Sequence, residues 1–243
     1  MALNLDKLFA NSNIGNKNSK RKTSPRTSKS EKFSSLRTDP TYTVVLVDES
    51  GSMYDYAEQV IQGYEIMLDN FRKSSSTKRG AHYITLALFA EEYEVLQEAE
   101  KLSPVKGKDN VILLRKGQKP AGNYNPDGMT ALYDCLYDAF GDILQVMKEM
   151  EAQGVRPRLN VALISDGEDT MSQRDPTDLR NIVRTLKKEE YLKRSVVLGL
   201  LDKGFTEDKL EKIRSDIGFD NAISLNKSAK EFRRAFLEAS NIN

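Results

Sequence analysis

Residues 41–53 read TYTVVLVDESGSM, and this stretch decides the fold. From Tyr42 to Val47 the run is almost continuously apolar, with no polar residue at every second place. A strand with one wet face alternates, whereas a strand covered on both faces does not. Burial on both faces is the habit of a central strand in a parallel sheet flanked by helices. The run stops at Asp48, and the next four residues, Glu49-Ser50-Gly51-Ser52, are polar or glycine. In an open α/β sheet the ground beyond the carboxyl ends of the strands is where ligands bind.

Outward from this strand, helical and strand-like stretches alternate. A helix is expected from about Tyr56 to Arg72, with Val60, Tyr64, Met67 and Phe71 along one side. Ser74 to Thr77 read as a polar loop. Tyr83–Phe89 and Tyr93–Gln97 are near enough to form a hairpin. A long loop spans roughly Lys106–Asp127, with one short apolar run at Val111–Leu114. Ala131–Met150 is a second helix, with Leu132, Leu136, Phe140, Ile143 and Met147 facing inward. Leu159–Ile164 is another buried strand, Asp178–Leu192 a helix, Val196–Leu200 a strand and Thr206–Ile217 a helix. Ala222–Leu225 and a terminal helix over Ser228–Ala239, striped by Ala229, Phe232, Ala235 and Phe236, complete the chain. The expected class is therefore α/β, an open, mostly parallel, doubly wound, Rossmann-like sheet.

The 243 residues carry a net charge of only +1, but the balance is uneven. Residues 1–39 hold nine basic side chains against Asp6, Glu31 and Asp39, a net of +6; the remainder is −5. Residues 12–38 are rich in Ser, Thr, Asn, Lys and Arg and lack the apolar surface that offsets chain entropy, so disorder is expected there. Residues 1–39 are accordingly expected to be a basic, mostly disordered tail, and residues 40–243 the folded domain. Leu5, Leu8 and Phe9 have helical spacing, which marks residues 3–10 as a short docking helix or a frayed end. The tail reads first as a linker. Its other readings are a weak, non-specific polyanion-binding arm, with Phe33 as the one ring able to stack on a base, and a segment switched by phosphorylation.

One cysteine, Cys135, excludes an intrachain disulfide framework or a Cys-rich zinc site. One histidine, His82, argues against a His-cluster metal centre or a His-based triad. Both read as structural: Cys135 as a small core residue and His82 at a strand entrance. No cationic segment followed by an apolar run opens the chain, and no stretch approaches the roughly 18–20 apolar residues of a membrane span. The expected compartment is the cytoplasm.

The chemistry gathers at three segments: Asp48-x-Ser50-x-Ser52 after the first strand, Gly128-Met129-Thr130 where the long loop enters a helix, and Ser165-Asp166-Gly167-Glu168 after the strand Leu159–Ile164. Together they offer two carboxylates and three hydroxyls, without His or Cys. All-oxygen donors suit a hard divalent cation, Mg²⁺ or Mn²⁺, with Ca²⁺ behind them. Tyr54, Tyr124 and Glu168 flank these segments and are read as the rim that meets a partner.

The set Asp48, Ser50, Ser52, Thr130 and Asp166, in the contexts VVLVDESGSM, GMTALYDCL and ALISDGEDT, resembles the metal-ion-dependent adhesion site of von Willebrand factor A domains. The likeness runs from Thr41 to the C terminus, about 200 residues, and none of the five positions departs from the pattern. It is nearest to stand-alone intracellular bacterial members. The resemblance implies that Ser50 and Ser52 touch the metal, that Thr130 does so in the ligand-competent state, and that Asp48 and Asp166 act through waters or hydrogen bonds. It also implies a function without catalysis: capture of an Asp or Glu side chain of a partner, within a multi-protein assembly that can include an AAA+ ATPase. The alternatives are a metal-dependent phosphohydrolase built on Asp48, and a polyanion-recruiting scaffold built on the tail.

Overall fold

The structure, a computed structural model, describes residues 22–23, 33, 39–118, 122–167, 169–201, 205–225 and 229–240. Its centre is a sheet. β2 (Thr41–Asp48) pairs in parallel with β3 (His82–Phe89) on one side and β5 (Arg158–Ser165) on the other. β6 (Leu192–Leu200) and β7 (Asn221–Leu225) extend it in parallel beyond β5, while β4 (Tyr93–Lys101) returns antiparallel to β3. A two-residue strand, β1 (Lys22–Thr23), lies parallel to Glu94–Val95, giving the order β1-β4-β3-β2-β5-β6-β7.

Every residue of β2 is buried, as the unbroken apolar run requires. The pleat sends Tyr42, Val44 and Leu46 to one core and Val45 and Val47 to the other. The first core is closed by α3 (Leu132–Glu151), α4 (Pro176–Lys188) and α5 (Glu207–Ile217). The second is closed by α1 (Ala57–Lys73) and α6 (Ala229–Ser240). The expected doubly wound α/β class is what the chain adopts. Among the described residues no helix is long and apolar enough to cross a membrane.

Several boundaries differ from expectation, for local reasons. Ser74–Thr77, expected as a loop, belongs to a short helix, α2 (Ser75–Lys78), because the Ser74 side chain accepts from the Thr77 N–H and caps it. The fourth helix begins at Pro176, capped by Asp175, and ends at Lys188 rather than Leu192. Glu190 turns the chain at φ 59°, and Leu192 then pairs with Leu159 as the first residue of β6. The long loop carries no regular element but is tied down. Leu114 is buried, Ile112 N–H donates to Gln97 Oε1 at 2.5 Å, and Arg72 grips Asp109 at 3.2 Å.

The tail expectation needs correcting at three points. Lys22 and Thr23 pair with the sheet, and Phe33 is 2% exposed, edge-on to Tyr83 at 5.1 Å. A ring buried there is not available to stack on a base. The expected helix at residues 3–10 and the rest of 12–38 lie outside the described residues. Cys135 and His82 sit in the interior as expected. Burial raises the thiol pKa of Cys135, and His82 is bracketed by Thr43 and Thr77 at 2.9 Å each.

Candidate metal centre

Asp48 is the last residue of β2 and has no exposed surface. One carboxylate oxygen accepts from the Ser50 N–H at 2.9 Å, which folds the chain sharply after the strand. The other accepts from the Ser165 hydroxyl at 2.6 Å, and Ser165 Oγ in turn accepts from the Gly167 N–H at 2.8 Å. The ends of β2 and β5 are thereby clamped together, with Asp166 buried beside them. Burial first, and the negative charge of Asp166 second, push the Asp48 carboxyl up to about 7. Two carboxylates held this close in a dry site are electrostatically uncomfortable without a cation.

Above them the chain turns into a 3-10 helix, Gly51–Tyr56, and brings the hydroxyls of Ser50 and Ser52 to 3.1 Å from each other. The second loop is stitched to this one by backbone bonds. Asp127 N–H donates to Glu49 O at 2.9 Å and Gly51 N–H to Gly128 O at 3.0 Å. Gly128 has φ +79°, a conformation that disfavours any side chain, and a Cβ at Gly51 would lie 3.3 Å from the Gly128 oxygen. The third loop holds the second. Thr130 O accepts from the N–H groups of Thr170 (2.9 Å) and Met171 (3.0 Å), and Asp169 caps α3 at the Leu132 N–H. Thr130 is 2% exposed in this lacing.

All five expected ligand residues therefore fall on three loops that are hydrogen-bonded to one another at one end of the sheet. The donor set fits a hard cation. In octahedral coordination at 2.0–2.1 Å, neighbouring ligand oxygens stand about 2.9 Å apart, close to the observed spacing of the two serine hydroxyls. Among the described residues no group of three or more His, Cys, Asp and Glu side chains is arranged to hold a metal, so any centre here depends on the hydroxyls.

The expected rim divides. Tyr54 is 58% exposed, with the Lys116 ammonium over its ring at 5.2 Å. Tyr124 is not a rim residue: it is fully buried and donates its hydroxyl to the Asp48 carbonyl at 2.8 Å. A buried phenol needs an acceptor, and the Asp48 carbonyl at the end of β2 supplies one. Glu168 lies outside the described residues. Sequence reading missed Ser165, Glu49 and Asp169. Ser165 alone left a trace, a hydroxyl at the end of a buried strand.

No protein-family model and no curated protein matches the chain. Solved structures do. It is similar to proximal thread matrix protein 1 from the mussel byssus, at 15% identity and a TM-score of 0.52, over 84% of this chain and 48% of that one. A second structure of that protein, described as having a zinc-occupied MIDAS motif, aligns at 16% identity with a TM-score of 0.51, over the same shares. The pilus adhesin SpaC from Lactobacillus rhamnosus GG aligns at 14% identity with a TM-score of 0.55, over 84% of this chain and 30% of that one. The fold is that of von Willebrand factor A domains. The chain spans less than half the length of each of these proteins.

Proposed function

We propose that the chain is a metal-dependent protein-binding module. Ser50, Ser52 and Thr130 hold a divalent cation of the Mg²⁺ class, Asp48 and Asp166 support it from below, and a partner's Asp or Glu completes the site. The observation that carries this reading is the Ser50–Ser52 hydroxyl pair above an Asp48 whose two oxygens are already engaged. The cation supplies attraction for an anion, because neutral hydroxyls leave most of its charge uncompensated. The chain's residues do the rest: they fix the hydroxyls, keep water from the two carboxylates and clamp three loops into one platform. The similar structures, a pilus adhesin and a matrix protein with a zinc-occupied motif, support a binding role.

The same burial weighs against catalysis by an aspartate nucleophile, which needs an accessible oxygen in line with the phosphorus. Asp48 is 0% exposed, with both oxygens hydrogen-bonded. The cytoplasm as compartment, and a multi-protein assembly with an AAA+ ATPase as one partner, belong to the same proposal. Their support is the resemblance to intracellular bacterial members and the single, buried cysteine.

The test is a Mn²⁺ titration of the full chain by electron paramagnetic resonance, beside Ser50→Ala and Thr130→Ala. One saturable ion in the wild type, weakened at least about tenfold in each variant, is the expected result. Equal affinity in all three proteins would refute the centre.

A further inference from the structure

The helix α3 starts without a cap of its own: its N-cap residue is Ala131, and no side-chain cap is made there. The first N–H groups of a helix find no partner inside it. Here they are met from the third loop. Leu132 N–H donates to Asp169 Oδ1 at 3.1 Å, and the Tyr133 and Asp134 N–H groups donate to Ser172 Oγ at 2.9 and 3.3 Å. The pattern runs back into the loop before the helix. Met129 N–H donates to Glu91 Oε1 at 3.2 Å, Thr130 N–H to Thr170 Oγ1 at 3.1 Å and Ala131 N–H to Ala90 O at 2.8 Å. Every N–H from Met129 to Asp134 therefore goes to one of two walls. One is the turn between β3 and β4, with Ala90 and Glu91; the other is the third loop, with Asp169, Thr170 and Ser172.

Within this frame Thr130 is gripped on both sides by one residue. Thr170 Oγ1 accepts from the Thr130 N–H, and the Thr170 hydroxyl and N–H both donate to the Thr130 carbonyl, at 3.2 and 2.9 Å. The same loop leaves β5 at Ser165, whose hydroxyl holds Asp48. One loop thus supports two residues of the candidate centre, Asp48 through Ser165 and Thr130 through Thr170. Thr170 is itself exposed and belongs to neither core, so replacing its hydroxyl leaves the packing of both intact. A hydroxyl coordinates well only when it is already held in place; a loop that must be ordered as the ion binds gives up part of the affinity as entropy.

We propose that Thr170 is a positioning residue of the candidate centre. By clasping the peptide groups on both sides of Thr130 it fixes where the Thr130 hydroxyl stands, and so sets how tightly the cation is held. Thr170 does not touch the cation in this arrangement; it acts through Thr130 alone. This inference rests on the metal-site reading given above.

The test is a set of Mn²⁺ titrations of the full chain by electron paramagnetic resonance. Thr170→Val keeps the shape and removes the hydroxyl, and should weaken Mn²⁺ binding about tenfold or more. Thr170→Ser keeps the hydroxyl and should bind as the wild type does. The deciding protein is the double variant: with Thr130→Ala already in place, adding Thr170→Val should cost nothing further, because the residue it acts through is gone. A second loss of about tenfold in the double variant means that Thr170 works by another route, and overturns the inference; so does equal affinity of Thr170→Val and wild type. Amide exchange in the metal-free wild type checks the clasp without any substitution. The Thr130 amide should exchange slowly with deuterated water, and exchange at the rate of an unprotected amide overturns the inference as well. The two readings fail differently. Mn²⁺ binding weakened in Ser50→Ala and Thr130→Ala but normal in Thr170→Val removes the positioning role and leaves the centre standing. Mn²⁺ binding unchanged in Ser50→Ala and Thr130→Ala removes the centre, and the positioning role with it.

Discussion

His82 makes a quantitative demand on how stability varies with pH. The ring has no exposed surface and lies between two hydroxyls, Thr43 Oγ1 at Nε2 and Thr77 Oγ1 at Nδ1, each at 2.9 Å. Thr77 gives its own proton to the Phe71 carbonyl at 2.7 Å, so toward the ring it accepts, and Nδ1 carries the hydrogen of a neutral imidazole. Burial lowers the pKa from the ordinary 6.5 to about 3. Between these values the unfolded chain binds a proton that the folded chain refuses, so this residue makes stability fall as the pH falls. The slope is about 1.4 kcal/mol per pH unit, and the loss accumulated from pH 7.5 to pH 5.0 is about 2 kcal/mol.

Asp48, raised to about 7, titrates in the same range with the opposite sign, so the wild-type curve alone does not report on His82. The difference between wild type and His82→Gln does, because the chain has no other histidine. Urea unfolding followed by circular dichroism at pH 7.5, 6.5, 5.5 and 5.0 measures it. The stability advantage of wild type over His82→Gln should shrink by about 2 kcal/mol across the series. An advantage that stays constant with pH would mean that the folded ring takes its proton normally, and the reading of a dry, neutral His82 would be wrong.

Substitutions at three further places probe separate parts of the molecule. A Cβ at Gly63 in α1 would lie 2.4 Å from the Phe236 ring of α6, so Gly63→Ala should cost about 1–3 kcal/mol in thermal or urea unfolding. Asp109→Ala leaves the buried Arg72 guanidinium without its main partner and should cost about 3–5 kcal/mol, while the accompanying Arg72→Met change should recover part of that loss. Tyr124→Phe removes the bond to the Asp48 carbonyl, costs about 1–2 kcal/mol in urea, and should weaken Mn²⁺ binding by loosening the loop over the site.

What could be read from the sequence follows the range of the forces involved. β2 was legible because burial on both faces is written into consecutive residues, Tyr42 to Val47. The three loops were legible because the ends of buried strands are where an α/β sheet exposes its chemistry. Leu192 was misread because Lys187 to Glu190 are good helix formers with no Gly or Pro to mark a stop, while the pairing of Leu192 with Leu159 is set by a strand 33 residues earlier. The supports of Asp48 were out of reach for the same reason. Ser165 and Tyr124 stand 117 and 76 residues from it, and no periodicity links residues at such separations. The misplacement of Tyr124 is instructive: an aromatic residue in a Gly- and Asn-rich loop looks like surface, and only the three-dimensional course of the loop reveals that it roofs the end of β2.

On the proposed metal-site reading, the layered build of the site is what leaves a place for a ligand from elsewhere. The carboxylates lie in the lower layer, where Asp48 spends its oxygens on Ser50 and Ser165 and feels Asp166 as a neighbour. Their charges attract a cation, but their oxygens are committed to holding the strands together. The upper layer consists of hydroxyls, which coordinate without neutralising. Moving either carboxylate upward would satisfy the cation from within and abolish its appetite for an outside anion; removing both would leave nothing to draw the cation in. A binding site, unlike a structural one, has to stop between these extremes. The same division appears across the whole chain, where a +6 segment and a −5 remainder sum to +1. The near-zero total does not describe a uniformly mixed sequence: it is the sum of a basic first 39 residues and an acidic remainder that includes the carboxylates of the candidate centre.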